Sequence, residues 1–499
     1  MSLPDRSAAS APQPAVDRRT FVKTVAVAGL GIAAGAFAAA PAEPAARRRR
    51  FALVGTGSRA EMFLEAVQRT FAAQCELVGL CDRNPGRLEG ARQRSTQFGA
   101  AIPPGYAAEE FDRMLRETRP DVVIVTTVDA THDDYIVRAL DAGCDVITEK
   151  PMATTPEKIQ RILDATARTG RRCRVAFNYR YAPPRTQLKE LLAQGAIGDV
   201  LSVDFHWMLD THHGADYFRR WHSHKANSGG LMIHKATHHF DLVNWWLGAQ
   251  PEEVWAVGKR EFYTPATARR LGLQSHHERC TGCPEVAACT FALDLAGAPR
   301  LKRLYADHER HDGYHRDRCV FRPDIDIEDT MNVIVKYDTG ATLSYSLNAF
   351  NAWEGYTIVF NGTKGRLEHR DIESVYEAGP DPRRVERGPG SISTRLIPLR
   401  GPARDIPVPT GEGGHGGGDP VLLADLLLET PPADPWLRAS NEQAGAASCL
   451  IGAAANRSFR SGQSVKIAEL VTGLRQPTGL PMPDRRGALP MPPAAGWVP

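Results

Sequence analysis

The chain has 499 residues, of which 42% are hydrophobic and 24% charged, so it is long enough to bury the cores of two domains or slightly more. Its formal net charge of +3 arises in the first 50 residues, which carry eight basic and three acidic side chains, and the remainder is close to neutral. A near-neutral body lacks the basic surface that nucleic-acid binding requires, so we expect no nucleic-acid partner.

The N-terminus carries paired arginines, Arg18 and Arg19, ahead of a mildly apolar run rich in alanine and glycine over residues 24–40. This pattern resembles a twin-arginine export signal, in which an apolar segment and a small-residue cleavage site follow the arginines. The run is short and glycine-rich for a stable membrane span, and a short anchor or an unstructured tail is the alternative. We therefore predict that residues 1–46 are a signal and linker, that the twin-arginine export machinery is a partner, and that the protein is periplasmic or otherwise extracytoplasmic.

A short apolar strand over residues 51–54 is followed at once by a glycine turn, a helical apolar pattern and a second strand that ends on Asp82. Each part has a role in a dinucleotide site, since Gly55 permits the tight turn and Gly57 leaves room for the pyrophosphate. Asp82 stands where a carboxylate accepts hydrogen bonds from a ribose 2′-hydroxyl, which favours NAD, whereas Arg83 leaves NADP open. The cofactor-binding residues predicted in this stretch are Gly55, Thr56, Gly57, Ser58, Arg59, Asp82 and Arg83.

Two later segments, residues 120–127 and 145–148, are apolar runs of the kind that a parallel sheet buries on both faces. Predicted helices separate these strands at regular spacing. The alternation predicts the α/β class, with a doubly wound parallel sheet that forms a dinucleotide-binding domain over residues 47–172.

Beyond this sheet the sequence predicts a second, larger domain. The high proline and glycine content of residues 379–418 predicts a long loop in it, and residues 420–459 are predicted to be helical. The predicted boundaries are a second domain over residues 173–470, a cysteine-containing insertion at about 262–325 and a loose C-terminal tail over 471–499.

The sequence resembles the Gfo/Idh/MocA family of oxidoreductases in the order of four features: the G-x-G-x-x-A turn, Asp82, residues 126–132 and Glu149-Lys150-Pro151. The resemblance implies an N-terminal Rossmann domain and a C-terminal α+β domain with an open, mostly antiparallel sheet. It also implies that Lys150 lies beside the nicotinamide and the substrate hydroxyl. Further cofactor-binding residues predicted in this part of the chain are Thr126, Thr127, His132, Glu149, Lys150 and Pro151.

A second diagnostic stretch, residues 228–241, begins with a glycine pair and continues as a predicted helix. On a single helix, His234, His238 and Asp241 fall at positions i, i+4 and i+7 and share a face. The resemblance implies that His238 accepts the proton of a substrate alcohol, that Asp241 orients its imidazole, and that His234 replaces an aspartate. A structural histidine is the plainer alternative for His238. A metal-binding histidine pair is another, although the stretch lacks the glutamate of zinc proteases.

Oxidation of a secondary alcohol requires a base for the proton, a hydride acceptor and a positive group beside the developing alkoxide. We assign the base to His238 and the positive group to Lys150, whose pKa we expect to be lowered in a closed site. Asn178, Tyr179 and Arg180 follow a predicted strand, and they either contact substrate or nicotinamide or join the two domains.

Four of the nine cysteines lie in the predicted insertion. The spacing of Cys280 and Cys283, followed by Cys289 and Cys319, is typical of a structural zinc or iron–sulfur site. Disulfide bonds and free thiols are the alternatives, because export favours disulfides whereas folding in the cytoplasm before export favours a metal. None of these possibilities makes the cluster catalytic.

These observations predict an exported oxidoreductase that transfers a hydride between a sugar or polyol secondary alcohol and a tightly held NAD or NADP. The alternative enzyme is a glycosidase that uses bound NAD for transient oxidation and elimination. A nucleotide-binding protein without catalytic activity is the third possibility. We expect the protein to form a homo-oligomer.

Overall fold

The computed structural model describes residues 47–274, 277–377, 383–386 and 390–476. The predicted signal and linker, residues 1–46, and most of the predicted tail lie outside the described residues. Among the helices of the described ranges, none combines the length and apolar character needed to cross a bilayer.

Parallel strands form the first sheet, and their solid apolar sequences are buried on both faces, as in other parallel sheets. The strands are β1 Arg49–Val54, β2 Cys75–Asp82, β3 Gly105–Ala107, β4 Val122–Val125, β5 Asp145–Thr148 and β6 Cys173–Val175. Within the described ranges this sheet has six strands in the order β3-β2-β1-β4-β5-β6. The order reverses between β1 and β4, which creates the crevice at the carboxyl ends of the strands where such folds bind ligands.

Helices cover both faces of this sheet, and the predicted Rossmann architecture is confirmed. They are α1 Ala60–Glu65, α2 Pro85–Gln97, α3 Phe111–Thr118, α4 His132–Asp141 and α5 Pro156–Thr169. A π-helical turn, Ala66–Thr70, continues α1. Asn84 accepts a hydrogen bond from the Arg87 amide and so caps α2 directly after the second strand.

The second sheet is mixed but mostly antiparallel, as predicted. Its strands are β7 Val200–Asp210, β8 Pro251–Lys259, β9 Thr330–Tyr337, β10 Thr342–Asn351, β11 Trp353–Gly362, β12 Gly365–Glu377, β13 Arg383–Glu386, β14 Ile392–Pro398, β15 Arg404–Ile406 and β16 Val465–Lys466. In the described part of the chain their order is β15-β14-β12-β11-β7-β10-β9-β8-β16, with β13 paired to β12, and only β7 and β10 pair in parallel.

The prediction of a long loop over residues 379–418 is wrong in part, because β14 and β15 lie within it. The sequence of β14 alternates between more and less buried positions, and β14 pairs with β12 along seven residues of each strand. Gly390 and Gly401 lie just outside β14, so the glycine content of the segment concealed the strands themselves.

The helices of this part are α6 Pro183–Ala193, α7 Thr211–Arg219, α8 Lys225–Ser228, α9 Leu231–His234, α10 Thr237–Leu247, α11 Pro265–Arg270, α12 Pro299–Leu304, α13 Glu309–Asp312, α14 Gly414–Leu427 and α15 Glu442–Ser461. The long helix α15 packs on β8, α9 and α10. Its Gly452 approaches α9 so closely that an added Cβ would lie 2.4 Å from the Met232 carbonyl oxygen. This contact holds α9 in place above the crevice of the first sheet.

The single helix predicted through residues 228–241 is wrong, since the structure divides it into α8, α9 and α10. The amides of Lys235 and Ala236 both donate to the Leu231 carbonyl oxygen, at 3.1 and 2.8 Å. This shared acceptor inserts one residue into the helical repeat and rotates the helix that comes after it. His234 therefore ends one helix, whereas His238 and Asp241 lie on the next.

Candidate active site

A cavity of about 1530 Å³ lies where the crevice of the first sheet faces α9, α10 and the second sheet. The predicted site residues that line it are Gly55, Gly57, Ser58, Arg59, Asp82, Arg83, Thr126, Thr127, His132, Glu149, Lys150, Asn178, Tyr179, His234 and His238. The predicted residues that do not line it are Thr56, Pro151, Arg180, Asp241 and the four cysteines of the insertion. The sequence therefore located most of one continuous site whose residues come from both sheets.

The dinucleotide end of the cavity is built on Gly55, whose φ is +90°. A Cβ at this position would lie 2.7 Å from the backbone of Thr126, so only glycine fits this turn. The next residue, Thr56, donates its amide and its hydroxyl to the Asp82 carboxylate, at 2.6 and 2.9 Å. The Asn84 amide donates to the other carboxylate oxygen at 2.7 Å. Asp82 is thereby held at the tip of β2, and Thr56 positions it without lining the cavity.

One buried donor at this end has no partner among the described residues. The Arg87 Nη1 atom is enclosed and forms no hydrogen bond, while Nη2 lies 3.6 Å from Asp82. A buried N–H without an acceptor is costly, and a ribose or phosphate oxygen of a bound dinucleotide would supply one. The open glycine turn, the acid at the strand end and this unpaired donor together fit NAD.

Lys150 lies at the centre of the cavity wall, at the carboxyl end of β5. Its ammonium donates to the His234 carbonyl oxygen at 3.3 Å, which joins the first sheet to α9. Burial disfavours the charged amine and lowers the pKa of Lys150 to about 8, although the carboxylates of Glu149 and Asp129 oppose this shift. Arg59 donates to Glu149 at 2.5 Å, so that carboxylate is shared between two cations.

His234 forms a short contact with an acid that the sequence did not single out. Its Nδ1 lies 2.5 Å from Asp129 Oδ2, and both side chains are buried. Burial raises the pKa of the Asp129 carboxyl and lowers the pKa of the His234 imidazole well below its usual value, with Lys150 adding to the latter effect. Asp129 follows β4 at the sheet edge where ligands bind, and that position was the signal by which the sequence could have identified it.

His238 lies on α10, with its ring stacked on Tyr179 at 4.1 Å between ring centres. Its Nδ1 atom is enclosed and has no hydrogen-bond partner in the described residues. Burial lowers the pKa of this imidazole well below its usual value, and the positive charges of Lys150 and Lys235 lower it further. His238 is therefore neutral at physiological pH, which is the state that accepts a proton.

Asp241 does not orient His238 as the resemblance implied. Its two carboxylate oxygens accept hydrogen bonds from Arg180, at 2.7 and 2.6 Å, and no hydrogen bond joins it to His238 in the described structure. Both partners are at least nine-tenths buried, and Arg180 does not line the cavity. The turn of α10 directs Asp241 toward Arg180, so this pair fixes α10 to the segment that follows β6.

The cavity is also lined by charged groups that the sequence analysis did not assign to the site. Lys235 is buried, and its ammonium donates to the Tyr179 hydroxyl at 3.1 Å. His213 contacts Glu354 at 3.0 Å, and Arg185 donates to Glu373 at 2.5 Å. These residues come from distant strands and helices, and no local spacing connects them. Together they give the substrate end of the cavity many hydrogen-bonding groups.

The four cysteines of the insertion do come together, around a separate cavity of about 30 Å³. Cys280 Sγ accepts hydrogen bonds from Arg219 at 3.4 Å and from the Leu293 amide at 3.3 Å. All nine cysteines are free, and no group of three or more His, Cys, Asp or Glu in the described residues could hold a metal ion. The predicted structural zinc is therefore not supported. Phe291 and Phe321 line the same small cavity beside the thiols.

Comparison with known proteins identifies related chains. Residues 49–177 match the family described as "Oxidoreductase family, NAD-binding Rossmann fold", and residues 189–467 match "Oxidoreductase family, C-terminal alpha/beta domain". The putative oxidoreductase YteT of Bacillus subtilis is 38% identical over 424 residues, which cover 83% of this chain and 97% of that protein. The D-glucoside 3-dehydrogenase of Escherichia coli is 28% identical over 45% of this chain and 60% of its own length. The crystal structure of the WlbA dehydrogenase from Bordetella pertussis with NADH and UDP-GlcNAcA has a TM-score of 0.55 at 20% identity, covering 84% of this chain and 99% of that chain.

The buried pair of Arg180 and Asp241 predicts that Asp241 stabilises the fold and does not take part in catalysis. In Asp241→Asn, Arg180 keeps its charge in a buried position without a carboxylate, so we expect the free energy of unfolding to fall by about 3–5 kcal/mol. The control is Asp141→Asn, which breaks the exposed pair with Arg168 and should change stability by less than about 1 kcal/mol. Urea unfolding measures both variants. An Asp241→Asn protein of normal stability but without substrate turnover would contradict the structural role.

Proposed function

The chain belongs to the Gfo/Idh/MocA oxidoreductase family, and we propose that it transfers a hydride between a sugar or polyol secondary alcohol and NAD. The observation that carries this proposal is that Lys150, His238 and the Gly55 turn line one cavity. A related D-glucoside 3-dehydrogenase and several related inositol 2-dehydrogenases support an alcohol of this kind as substrate.

The residues that would hold NAD are the Gly55 turn, Asp82 with Arg87, and the segments after β4 and β5. NAD, when bound, supplies the acceptor for the hydride. The protein supplies position, exclusion of water and proton transfer. Thr56 and Asn84 fix Asp82 before any ligand arrives, so the acid is already placed to bind ribose hydroxyls.

His238 is the group that we assign to accept the alcohol proton. Its Nδ1 is enclosed by protein, which leaves Nε2 as the nitrogen available to the substrate. The neutral state required of a base results from burial and from the nearby ammonium groups, which lower the imidazole pKa. The stacked Tyr179 ring holds the imidazole plane in one orientation.

Lys150 is the group that we assign to stabilise the alkoxide as the proton leaves. Its pKa of about 8 keeps it charged at neutral pH, and its enclosure strengthens the interaction with a negative oxygen. The bond to the His234 carbonyl oxygen fixes the ammonium between the two halves of the site. A cation held in advance of the reaction needs no reorganisation when the alkoxide forms.

The pair of His234 and Asp129 is a second candidate for the proton acceptor. Their contact of 2.5 Å resembles the way in which a carboxylate orients a catalytic imidazole. Burial raises the pKa of the Asp129 carboxyl, however, and Lys150 also interacts with its charged form, so Asp129 is a weaker partner for an imidazolium than an unshared carboxylate. We therefore assign the proton to His238, and separate substitutions of His238 and Asp129 distinguish the two candidates.

We also propose that the protein is exported by the twin-arginine route with its cofactor already bound. Arg18 and Arg19, the apolar run after them and the small residues at its end support export. Little free NAD is expected outside the cytoplasm, so a carried cofactor would be recycled by a second substrate.

The activity is tested by adding sugars and polyols to the purified protein and following absorbance of the reduced cofactor. We expect one class to reduce it. His238→Asn should slow the first turnover by about 10²–10⁴-fold, because general base catalysis contributes about that much. Asp129→Asn should slow it far less, whereas a loss as large as that of His238→Asn would transfer the role to His234.

The same preparation distinguishes the alternative enzyme. If an aryl glycoside releases free sugar with no net reduction of the cofactor, the protein is a glycosidase and the proposed dehydrogenase activity is wrong. If the protein neither reduces its cofactor nor releases free sugar, and Lys150→Met behaves like the unaltered protein in both assays, the catalytic proposal fails.

The pH profile is set by the two pKa shifts. The pKa of the His238 imidazole is lowered well below its usual value, so this ring is neutral around pH 7, where the Lys150 amine is still mostly charged. We therefore expect the oxidation rate to be level around neutral pH. The rate should fall as pH rises through about 8 because the cation is lost. In Lys150→Arg the guanidinium stays charged, and the fall should move to higher pH. Stopped-flow measurement across pH 6–10 checks this, and an unchanged profile in Lys150→Arg would contradict it.

Export is tested by replacing Arg18 and Arg19 together with lysine and fractionating the cells. We expect the variant to remain in the cytoplasm with its nucleotide bound, and the unaltered protein to be periplasmic with the same nucleotide. Mass spectrometry of the denatured periplasmic fraction identifies the cofactor. A periplasmic protein without nucleotide would refute the carried cofactor, and unchanged export of the variant would refute the route.

A further inference from the structure

Part of the cysteine-containing insertion lies across the dinucleotide end of the cavity. We call residues 299–314 the strap; they comprise α12, the short 3-10 turn Ala306–His308, α13 and the two residues after it. Tyr305, Asp312 and Tyr314 of the strap line the same cavity as the glycine turn. The strap belongs to the second part of the chain, yet its side chains contact the first sheet where the cofactor is expected.

The strap closes over the glycine turn through two side chains. The Tyr305 hydroxyl accepts a hydrogen bond from the Ser58 amide at 3.2 Å and lies above Gly57. Arg300 donates to the Ser58 hydroxyl at 2.5 Å and to Glu61 at 2.8 Å. The Ser58 amide is the donor that a glycine turn of this kind presents to a pyrophosphate. The Tyr305 oxygen therefore lies where a phosphate oxygen would bind, and once a phosphate takes the amide, the phenol O–H beside it can donate to that phosphate.

The strap also reaches the start of α2. Asn84 donates its side-chain amide to the His308 carbonyl oxygen at 3.0 Å. The approach depends on Gly86, since an added Cβ there would lie 2.2 Å from the His308 ring. The contacts at both ends of the strap connect it to the two elements that follow the glycine turn and the ribose-binding acid.

Asp312 is the strap residue that binds the arginine beside Asp82. Its carboxylate accepts from Arg87 Nη2 at 2.6 Å, while the same guanidinium lies 3.6 Å from Asp82. Both carboxylates are 5% exposed and Arg87 is 10% exposed, so three buried charges sum to one negative charge. The exposed Arg83 also lines the cavity, whereas Arg59 and Arg300 line it beside the glycine turn and are paired with Glu149 and Glu61. A 2′-phosphate here would meet two carboxylates and an arginine that they already neutralise.

We propose that the strap is a cofactor-binding element in which Asp312 selects NAD over NADP and Tyr305 slows release of the cofactor. The inference rests on the proposed function only in its assumption that the cavity binds a nicotinamide dinucleotide. Asp312 occupies Arg87, so this arginine is not available to a 2′-phosphate, and the Asp312 carboxylate repels the phosphate charge. A ribose 2′-hydroxyl is not repelled, because it can donate to a carboxylate and accept from Arg87 Nη1. The insertion would then take part in cofactor binding through the strap and not through its cysteines.

The selectivity is measured by titrating nucleotide-stripped protein with NADH and NADPH and following cofactor fluorescence, which needs no substrate. We expect the full-length protein to bind NADH at least about 100-fold more tightly than NADPH. In Asp312→Asn this ratio should fall about tenfold or more, because Arg87 is freed for the phosphate. Asp312→Glu retains the charge and should retain most of the preference.

The matched control is Asp307→Asn, which removes one negative charge from the same strap at an exposed position paired with Lys302. Its preference should equal that of the unaltered protein. An unaltered protein that binds both nucleotides equally would refute the role of Asp312. A ratio that shifts equally in Asp307→Asn and Asp312→Asn would also refute it.

Release is measured by displacing bound NADH with excess NAD in a stopped-flow instrument. Tyr305→Phe loses the phenol O–H that can donate to the bound phosphate, and we expect NADH to leave about tenfold faster. Unchanged release would refute the closing role. If the titrations succeed but no sugar or polyol reduces the cofactor, the strap stands and the proposed activity fails. If neither nucleotide binds, both fail.

Discussion

The site depends on one buried charge, the ammonium of Lys150, held at the junction of the two sheets. Its bond to the His234 carbonyl oxygen joins the carboxyl end of β5 to the end of α9. A cation in this position must be compensated, and Glu149 and Asp129 are the carboxylates that partly do so. Burial lowers the pKa of His234 and of His238, and the Lys150 charge adds to this effect at both histidines.

Around this charge the chain places its buried ionic groups in pairs, and each pair connects segments that are distant in sequence. Arg59 binds Glu149, Asp129 contacts His234, and Arg180 binds Asp241. Pairs of this kind contribute little net stability, but each fixes the geometry of its partners, because the loss of one member leaves a buried charge uncompensated. A site that must hold a base and a cation against each other benefits from such fixed geometry.

Much of this site was predictable because its signals are local. The Gly55 turn, Asp82 and the lysine after β5 lie directly at strand ends, where backbone sterics and sheet topology constrain both residue type and position. The role of Asp241 was predicted incorrectly, because helical spacing cannot show that Lys235 and Ala236 share the Leu231 carbonyl and so end one helix and begin another. Asp129 and Lys235 were missed because their partners, His234 and Tyr179, are 105 and 56 residues away.

The sequence by itself determined the parallel sheet, its dinucleotide turn and the family of the chain, since these depend on periodicity and on steric requirements within a few residues. Only the tertiary structure decided which acid contacts which histidine, that the four cysteines surround a small cavity without a metal arrangement in the described residues, and that the strap meets the cofactor end through Asp312. Those outcomes are set by electrostatic and packing energies between segments that become neighbours only on folding, and no local pattern encodes them.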